Sequence, residues 1–166
     1  SVLDRMEEGT LSSECLGLIA DREDRGCVLK AQAAGLPVMI VAKAKDEDRE
    51  AYDRRVADAI GRLGGSDETL IACIGWLWIL SPWFVSAFRN RILNVHPALL
   101  PKHPGAHAHA LVLAAKDSES GMSIHLIDEG MDTGKILLQK NCPVLPDDTE
   151  DSLKKRVQEL EGEWYP

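Results

Sequence analysis

Apolar positions along the chain fall into two alternating patterns. Short apolar-rich runs at Cys15-Leu-Gly-Leu-Ile-Ala20, Val38-Met-Ile-Val41, Leu70-Ile-Ala-Cys-Ile74 and Arg91-Ile-Leu-Asn-Val95 predict buried strands. Between them the spacing switches to three and four. Tyr52, Val56, Ile60 and Leu63 share one face of a helix over about 47–63, closed by Gly64-Gly65. A shorter helix runs from Cys27 to Ala34, and Gly35 closes it. Ser81-Pro82 opens another by a capping residue followed by proline. Val2, Leu3 and Met6 share a helical face at the start, with Gly9 as the stop. After Gly105 a helix over about 106–116 leads to strands at Met122–Ile127 and Lys135–Lys140. A final helix over about 149–162 carries Leu153, Val157 and Leu160 on its apolar stripe. Strand and helix in alternation predict an α/β domain. Its expected form is Rossmann-like and doubly wound, a mostly parallel sheet with helices on both faces.

Charge and composition narrow the function. The 19 Lys and Arg are outnumbered by 27 Asp and Glu, for a net charge of −8. So acidic a chain is a poor polyanion binder, so neither nucleic acid nor an anionic membrane is expected as a partner. At 45% apolar and 28% charged, the sequence is that of a folded globular chain. Its 166 residues suit a single domain. None of Cys15, Cys27, Cys73 and Cys142 forms a C-x-x-C pair, and Cys15 and Cys73 lie in apolar runs. Reduced thiols and a cytoplasmic location are therefore expected. The apolar stretch at Leu70–Leu80 is too short to span a bilayer.

Candidate chemistry concentrates where a parallel sheet binds ligands, outside the carboxyl ends of its strands. Asn94 and His96 are two apart in an extended segment, so both side chains point the same way, and Pro97 ends the ladder beyond them. A carboxamide donor and an imidazole thus meet at a strand end. Taken alone, this pair reads as readily as a turn cap and a buried structural histidine. Asp132 lies in the loop Asp128-Glu-Gly-Met-Asp-Thr-Gly134, between Gly130 and Gly134, which permit a sharp bend. Its bland alternative is a turn former. A carboxylate beside the imidazole would orient it and favour its charged form. His125 reads as a buried structural or site residue, and His103 as an exposed loop residue. His107 and His109 are two apart in a helix and point to different faces, so no metal site is expected. No G-x-G-x-x-G run or P-loop lysine is present, which removes the usual warrant for a dinucleotide or ATP.

The run Asn94-Val-His-Pro-Ala-Leu-Leu-Pro-Lys-His-Pro-Gly-Ala-His-Ala-His109, followed by the glycine-bounded Asp132 loop, resembles the folate-dependent formyltransferases. The resemblance is strongest to the branch that formylates glycinamide ribonucleotide in purine synthesis. Ile74-Gly-Trp-Leu-Trp-Ile-Leu-Ser-Pro82 is similar to that family's folate-pocket segment, and Arg156–Glu161 and Tyr165-Pro166 to its late helix. The likeness implies a formyltransferase fold with Asn94, His96 and Asp132 as the catalytic trio. It implies folate contacts from Leu77, Leu80, His125, Asp128, Gly130 and Met131, and ribonucleotide contacts from Arg91, Gln158 and Glu161. The implied co-substrate is 10-formyltetrahydrofolate, with no metal, and the implied assembly is a monomer or homodimer.

Departures are specific. The family's first strand and its G-x-G-S-N phosphate loop do not lie within residues 1–166, nor does its C-terminal end, and they are expected just outside it. Trp78 stands where arginine is common, and Ala98 where serine is frequent. The alternatives are another folate-dependent formyltransferase, a formyltetrahydrofolate hydrolase, or a catalytically inactive binding module of the same fold. The hydrolases tend to carry a second histidine where this chain has Pro97. The enzymes acting on tRNA or on sugar amines differ from Lys102–His109.

Overall fold

A computed structural model describes residues 2–166. Six helices and six strands are assigned among them, in two compact units. One is chiefly Leu3–Thr69 with Leu77–Ala87, and the other is chiefly Leu70–Trp76 with Phe88–Pro166.

The first unit holds α1 (Val2–Glu7), β1 (Leu18–Ala20), α2 (Gly26–Ala33), β2 (Val38–Ile40), α3 (Arg49–Arg62) and α4 (Pro82–Ala87). β1 and β2 pair in parallel, with Leu18 opposite Val38. α3 starts where Asp48 accepts hydrogen bonds from the Glu50 and Ala51 N–H groups at 2.9 and 3.1 Å. Its apolar face buries Tyr52, Val56 and Ala59. The Tyr52 hydroxyl donates to the Val41 carbonyl at 2.9 Å, which ties the helix to the end of β2. Asp53, fully buried on the same helix, accepts the Ser81 N–H at the start of α4.

The second unit carries β3 (Ile71–Cys73), β4 (Ile92–His96), α5 (Ala108–Ala115), β5 (Glu119–Leu126), β6 (Ile136–Pro143) and α6 (Glu150–Trp164). Its sheet has the order β3-β4-β5-β6. β3 and β4 are parallel, whereas β4–β5 and β5–β6 are antiparallel. The α/β architecture with parallel pairing is therefore as expected, with an antiparallel extension on its C-terminal side. A loop from Ile127 to Lys135 is too short for a parallel crossover, which takes a dozen residues or more. α6 begins with a capping box between Thr149 and Ser152. It lays Leu153 and Val157 against Val112 of α5, Met122 and Ile124 of β5, and Cys142 of β6.

Several expected strands are shorter and less buried than their apolar runs suggested. β1 begins at Leu18 rather than Cys15, and Leu70 and Ile74, at the ends of the third run, are 61% and 60% exposed. Hydrophobicity sets which residues could be buried; the ladder decides how many are, and β1–β2 and β3–β4 pair over three residues each. The reverse holds for β5 and β6, which extend to Glu119 and Pro143 because each has a partner over its whole length. His103, expected to be exposed, is half-buried. Cys73 and Cys142 are buried, Cys15 is half-buried and Cys27 is exposed, all four as free thiols.

Leu153 has no exposed surface in the core between α6 and the sheet. Leu153→Ala is expected to cost about 2–5 kcal/mol, as other buried leucine truncations do, measured by urea unfolding.

Candidate active site

β4 delivers the first two site residues. Along Ile92–His96 side chains alternate, so Ile92, Asn94 and His96 project to one side, with Ile92 fully buried, while Val95 on the other side packs on the core of the second unit. Antiparallel pairing sets Asn94 opposite His125 and His96 opposite Ser123. These cross-strand neighbours prove to be the support of the site.

Ser123 is fully buried. Its hydroxyl donates to the Ala98 carbonyl at 2.7 Å and accepts the Leu100 N–H at 3.0 Å. The Gln139 side-chain amide bridges the Leu100 carbonyl and the Ser123 hydroxyl, both at 2.8 Å. The segment leaving His96 is thereby fastened to β5 and β6. It contains the cis Leu100-Pro101 peptide. Its far end returns to the site at Gly105, where φ is +79° and the backbone N–H donates to Asp132 Oδ2 at 2.7 Å.

The loop between β5 and β6 brings Asp132. Asp128 shapes that loop, accepting the Gly130 N–H at 3.0 Å and the Thr133 hydroxyl at 2.8 Å. Gly134 lies so near the Leu126 carbonyl oxygen that a Cβ there would overlap it. Asp132 itself adopts φ +54°, the left-handed region that a short polar side chain tolerates. Its carboxylate then meets His96 Nδ1 at 3.3 Å through Oδ2 and His125 Nε2 at 3.4 Å through Oδ1. Asn94 Nδ2 is 3.2 Å from the same His125 nitrogen. All of Asn94, His96 and Asp132 thus converge within the second unit.

The proton positions follow from the acceptors. His96 Nε2 lies 2.7 Å from the His103 carbonyl, which can only accept, so Nε2 carries a hydrogen. Nδ1 faces the Asp132 carboxylate at 3.3 Å, so both ring nitrogens lie against an oxygen. His125 Nδ1 donates to the Leu126 carbonyl at 3.0 Å, which turns Nε2 toward Asn94 and Asp132. There a neutral ring accepts from the amide and a charged ring donates to the carboxylate. Asp132 ionises with unusual ease, its pKa lowered to about 2 by the His125 hydrogen bond first, then the Gly105 N–H and the charge of His96, against an opposing desolvation cost.

The other expected site residues are dispersed. His125 is 1% exposed and sits beneath Asn94 and Asp132, as support more than as an open wall. Asp128 spends its carboxylate on its own loop, while Gly130 is exposed there. Met131 is 60% exposed and lies over Gly105. Arg91 is half-buried, with its guanidinium 5.1 Å from the Phe88 ring centroid. On α6, Gln158 is exposed and Glu161 is half-buried, with its pKa raised by desolvation. The Tyr165 hydroxyl, 3.0 Å from the Cys73 carbonyl and 3.1 Å from that of Leu93, fastens the end of α6 against β3 and β4. Leu77 and Leu80 belong to the first unit, Leu77 being 79% exposed and Leu80 half-buried. Trp78, in the same segment, sets its ring edge-on to Tyr52 at 6.4 Å, with the Lys43 ammonium 5.9 Å from the indole. A cavity of about 310 Å³ bounded by Leu100, Lys102, His103, Val112, Asp117 and Ser120 has none of the trio in its lining.

The model of the family described as formyl transferase matches residues 1–166. The chain belongs to that family. Folate-dependent formyl transfer is the family's reaction, and the chain is a formyltransferase by descent. It is 34% identical to the phosphoribosylglycinamide formyltransferase of Escherichia coli (strain K12) over 166 residues, all of this chain and 77% of that protein. It is 40% identical over 137 residues to the trifunctional purine biosynthetic protein adenosine-3 of Drosophila melanogaster, covering 82% of this chain but a tenth of that much longer protein. Among solved structures, glycinamide ribonucleotide transformylase 1 from Symbiobacterium toebii superposes with a TM-score of 0.94 at 32% identity, over 99% of this chain and 76% of that one. The resemblance seen in the motifs, and the formyltransferase fold it implied, are borne out. Among the described residues no helix is long and apolar enough to cross a membrane.

Ser123, Gln139 and His103 went unrecognised in the sequence. Each acts on a residue at least seven positions away, and a serine in an alternating strand carries no local mark of that role.

Asp132 supplies a pH prediction. Its folded pKa lies below its ordinary value of 3.8, so the stability it contributes is fully present above about pH 4 and is lost as pH falls toward 2. Asp132→Asn is expected to flatten the fall in unfolding free energy over that window, followed by urea unfolding at a series of pH values.

Proposed function

We propose that this formyltransferase moves the formyl group of 10-formyltetrahydrofolate to the amine of glycinamide ribonucleotide, the step named by its bacterial relatives. The observation that carries the reading is the convergence of Asn94, His96 and Asp132 in a chain so similar to those enzymes.

The amine nitrogen attacks the formyl carbon, and the carbonyl electron pair moves to oxygen. A tetrahedral oxyanion results. Asn94 donates to it from its amide, and His96 donates from Nε2. In the structure that hydrogen rests on the neutral His103 carbonyl. An oxyanion is the stronger acceptor and takes the hydrogen over as charge develops. Asp132 holds the ring from Nδ1 and keeps a compensating charge beside it. The intermediate then expels the folate nitrogen. The attacking amine has one proton to lose and the departing nitrogen one to gain, and Asp132 with His96 lies where that transfer is relayed.

The folate contacts within the second unit are assigned to Met131 and the backbone of Asp128–Gly130. Their exposed apolar and backbone polar groups suit a flat heterocycle. His125 shapes this floor from below. Arg91, Gln158 and Glu161 are assigned to the ribonucleotide. No metal takes part in this scheme, and both substrates are small molecules.

The test is a formyl-transfer assay on the full-length protein with both substrates, following loss of formyl folate and formation of the formylated amide. Turnover that requires the ribonucleotide amine supports the reading. Release of formate without it would instead identify a hydrolase, and folate binding without turnover an inactive module. Asn94→Ala and His96→Ala are each expected to lower kcat by about 10²–10³, the loss typical of an oxyanion donor.

A further inference from the structure

We infer that His103 and Asp117 form a positioning pair that sets the orientation of His96 from behind. The inference rests on the reading of His96 as catalytic.

The pair sits at the far end of a short chain of contacts. His96 Nε2 donates to the His103 carbonyl at 2.7 Å. The His103 ring, through Nε2, meets Asp117 Oδ2 at 2.7 Å, and Lys102 Nζ meets Oδ1 at 3.3 Å. The carbonyl that holds the catalytic ring therefore belongs to a residue whose own side chain is anchored fourteen positions away. His103 adopts φ +52°, a backbone state that a histidine occupies only at a cost. Its neighbours Pro101, Lys102 and Pro104 are exposed, so core packing does not press that turn into shape. The Lys102 N–H, bonded to the Leu99 carbonyl at 3.1 Å, closes the turn on one side of His103, and the tie to Asp117 holds it on the other.

Asp117 is well placed for the role and poorly explained otherwise. α5 ends at Ala115, and the turn after it closes through the Lys116 N–H to the Leu113 carbonyl at 3.1 Å and the Asp117 N–H to the Val112 carbonyl at 3.3 Å. The helix end needs the Asp117 backbone and not its side chain. A carboxylate there also lies at the negative end of the helix dipole, where it is disfavoured. His103 and Lys102 offset that, and their hydrogen bonds hold the Asp117 carboxyl below the usual carboxylate range. The result is a rigid post, set on the helix and the first residues of β5, that fixes one acceptor in the active site. With His96 Nε2 oriented by that acceptor, its Nδ1 is aimed at Asp132.

The test combines ring NMR with kinetics on the full-length protein. In the wild-type protein the His96 Nε2 proton is expected as a hydrogen-bonded, slowly exchanging imidazole resonance, assigned by its disappearance in His96→Gln. In His103→Ala and Asp117→Ala that proton should exchange at least about tenfold faster, and kcat should fall about ten- to hundredfold, with KM for both substrates changed less than about twofold. His103→Gln, whose side-chain amide can reach Asp117 from the position of the ring nitrogen, should restore most of both signals. Two results would overturn the inference. One is a fast-exchanging His96 proton in the wild-type protein, which needs no variant to fold. The other is Ala variants that fold with proton exchange and kcat unchanged, or that lose KM alone. Failure of the wild-type protein to transfer a formyl group would sink the catalytic reading, while the exchange comparison would still judge the positioning pair.

Discussion

An ionised carboxylate in a largely enclosed place is the constraint on which this site depends. Asp132 is too shielded to be left to water and too charged to be left without donors. The Gly105 N–H and the two imidazoles of His96 and His125 answer that demand. Each donor comes from a different part of the second unit: the loop after β4, β4 itself, and β5. Satisfying one charge therefore joins β4, the loop that follows it and β5 around a single carboxylate. The same contacts give the imidazole of His96 its orientation, so one set of bonds meets the electrostatic requirement of folding and, in the proposed reaction, the geometric requirement of catalysis.

Backbone chemistry makes that meeting possible at low cost. The left-handed turn at Asp132 is framed by the hydrogen-bonded Asp128 loop and by Gly134, whose lack of a side chain allows the close approach to Leu126. On the opposite side, Ser123 and Gln139 pin the segment after His96 to the sheet before it returns at Gly105. Strand pairing does the rest. Because β4 and β5 are antiparallel, His125 falls opposite Asn94 without any further device. Ser123 falls opposite His96 in the same way.

Local signals made the alternation of strands and helices legible, along with the pair Asn94 and His96 and the glycine-framed Asp132. Each rests on spacing over a few residues, which is what a sequence displays directly. The antiparallel run of β5 and β6 was not read, because apolar periodicity is blind to strand direction, although the connection between them is too short for a crossover. Strand lengths were not readable, since Leu70 and Ile74 owe their exposure to the extent of the ladder and not to their own character. The supporting residues were hidden for a different reason. His103, Ser123 and Gln139 act through contacts across the fold, and a histidine among prolines and lysine looks like any solvent-facing loop. Motif likeness supplied the chemistry of the site, and the structure supplied what holds it.

That His96 and Asp132 form one operating unit is the central claim, and a double-mutant cycle on formyl transfer addresses it most directly. His96→Ala, Asp132→Ala and the double variant would be compared by kcat in the full-length protein. Residues that work as a unit lose together, so the double variant should be no slower than the worse single variant by more than about threefold. A double variant whose loss equals the product of the two single losses would contradict the claim, because it would show that the carboxylate and the imidazole act independently.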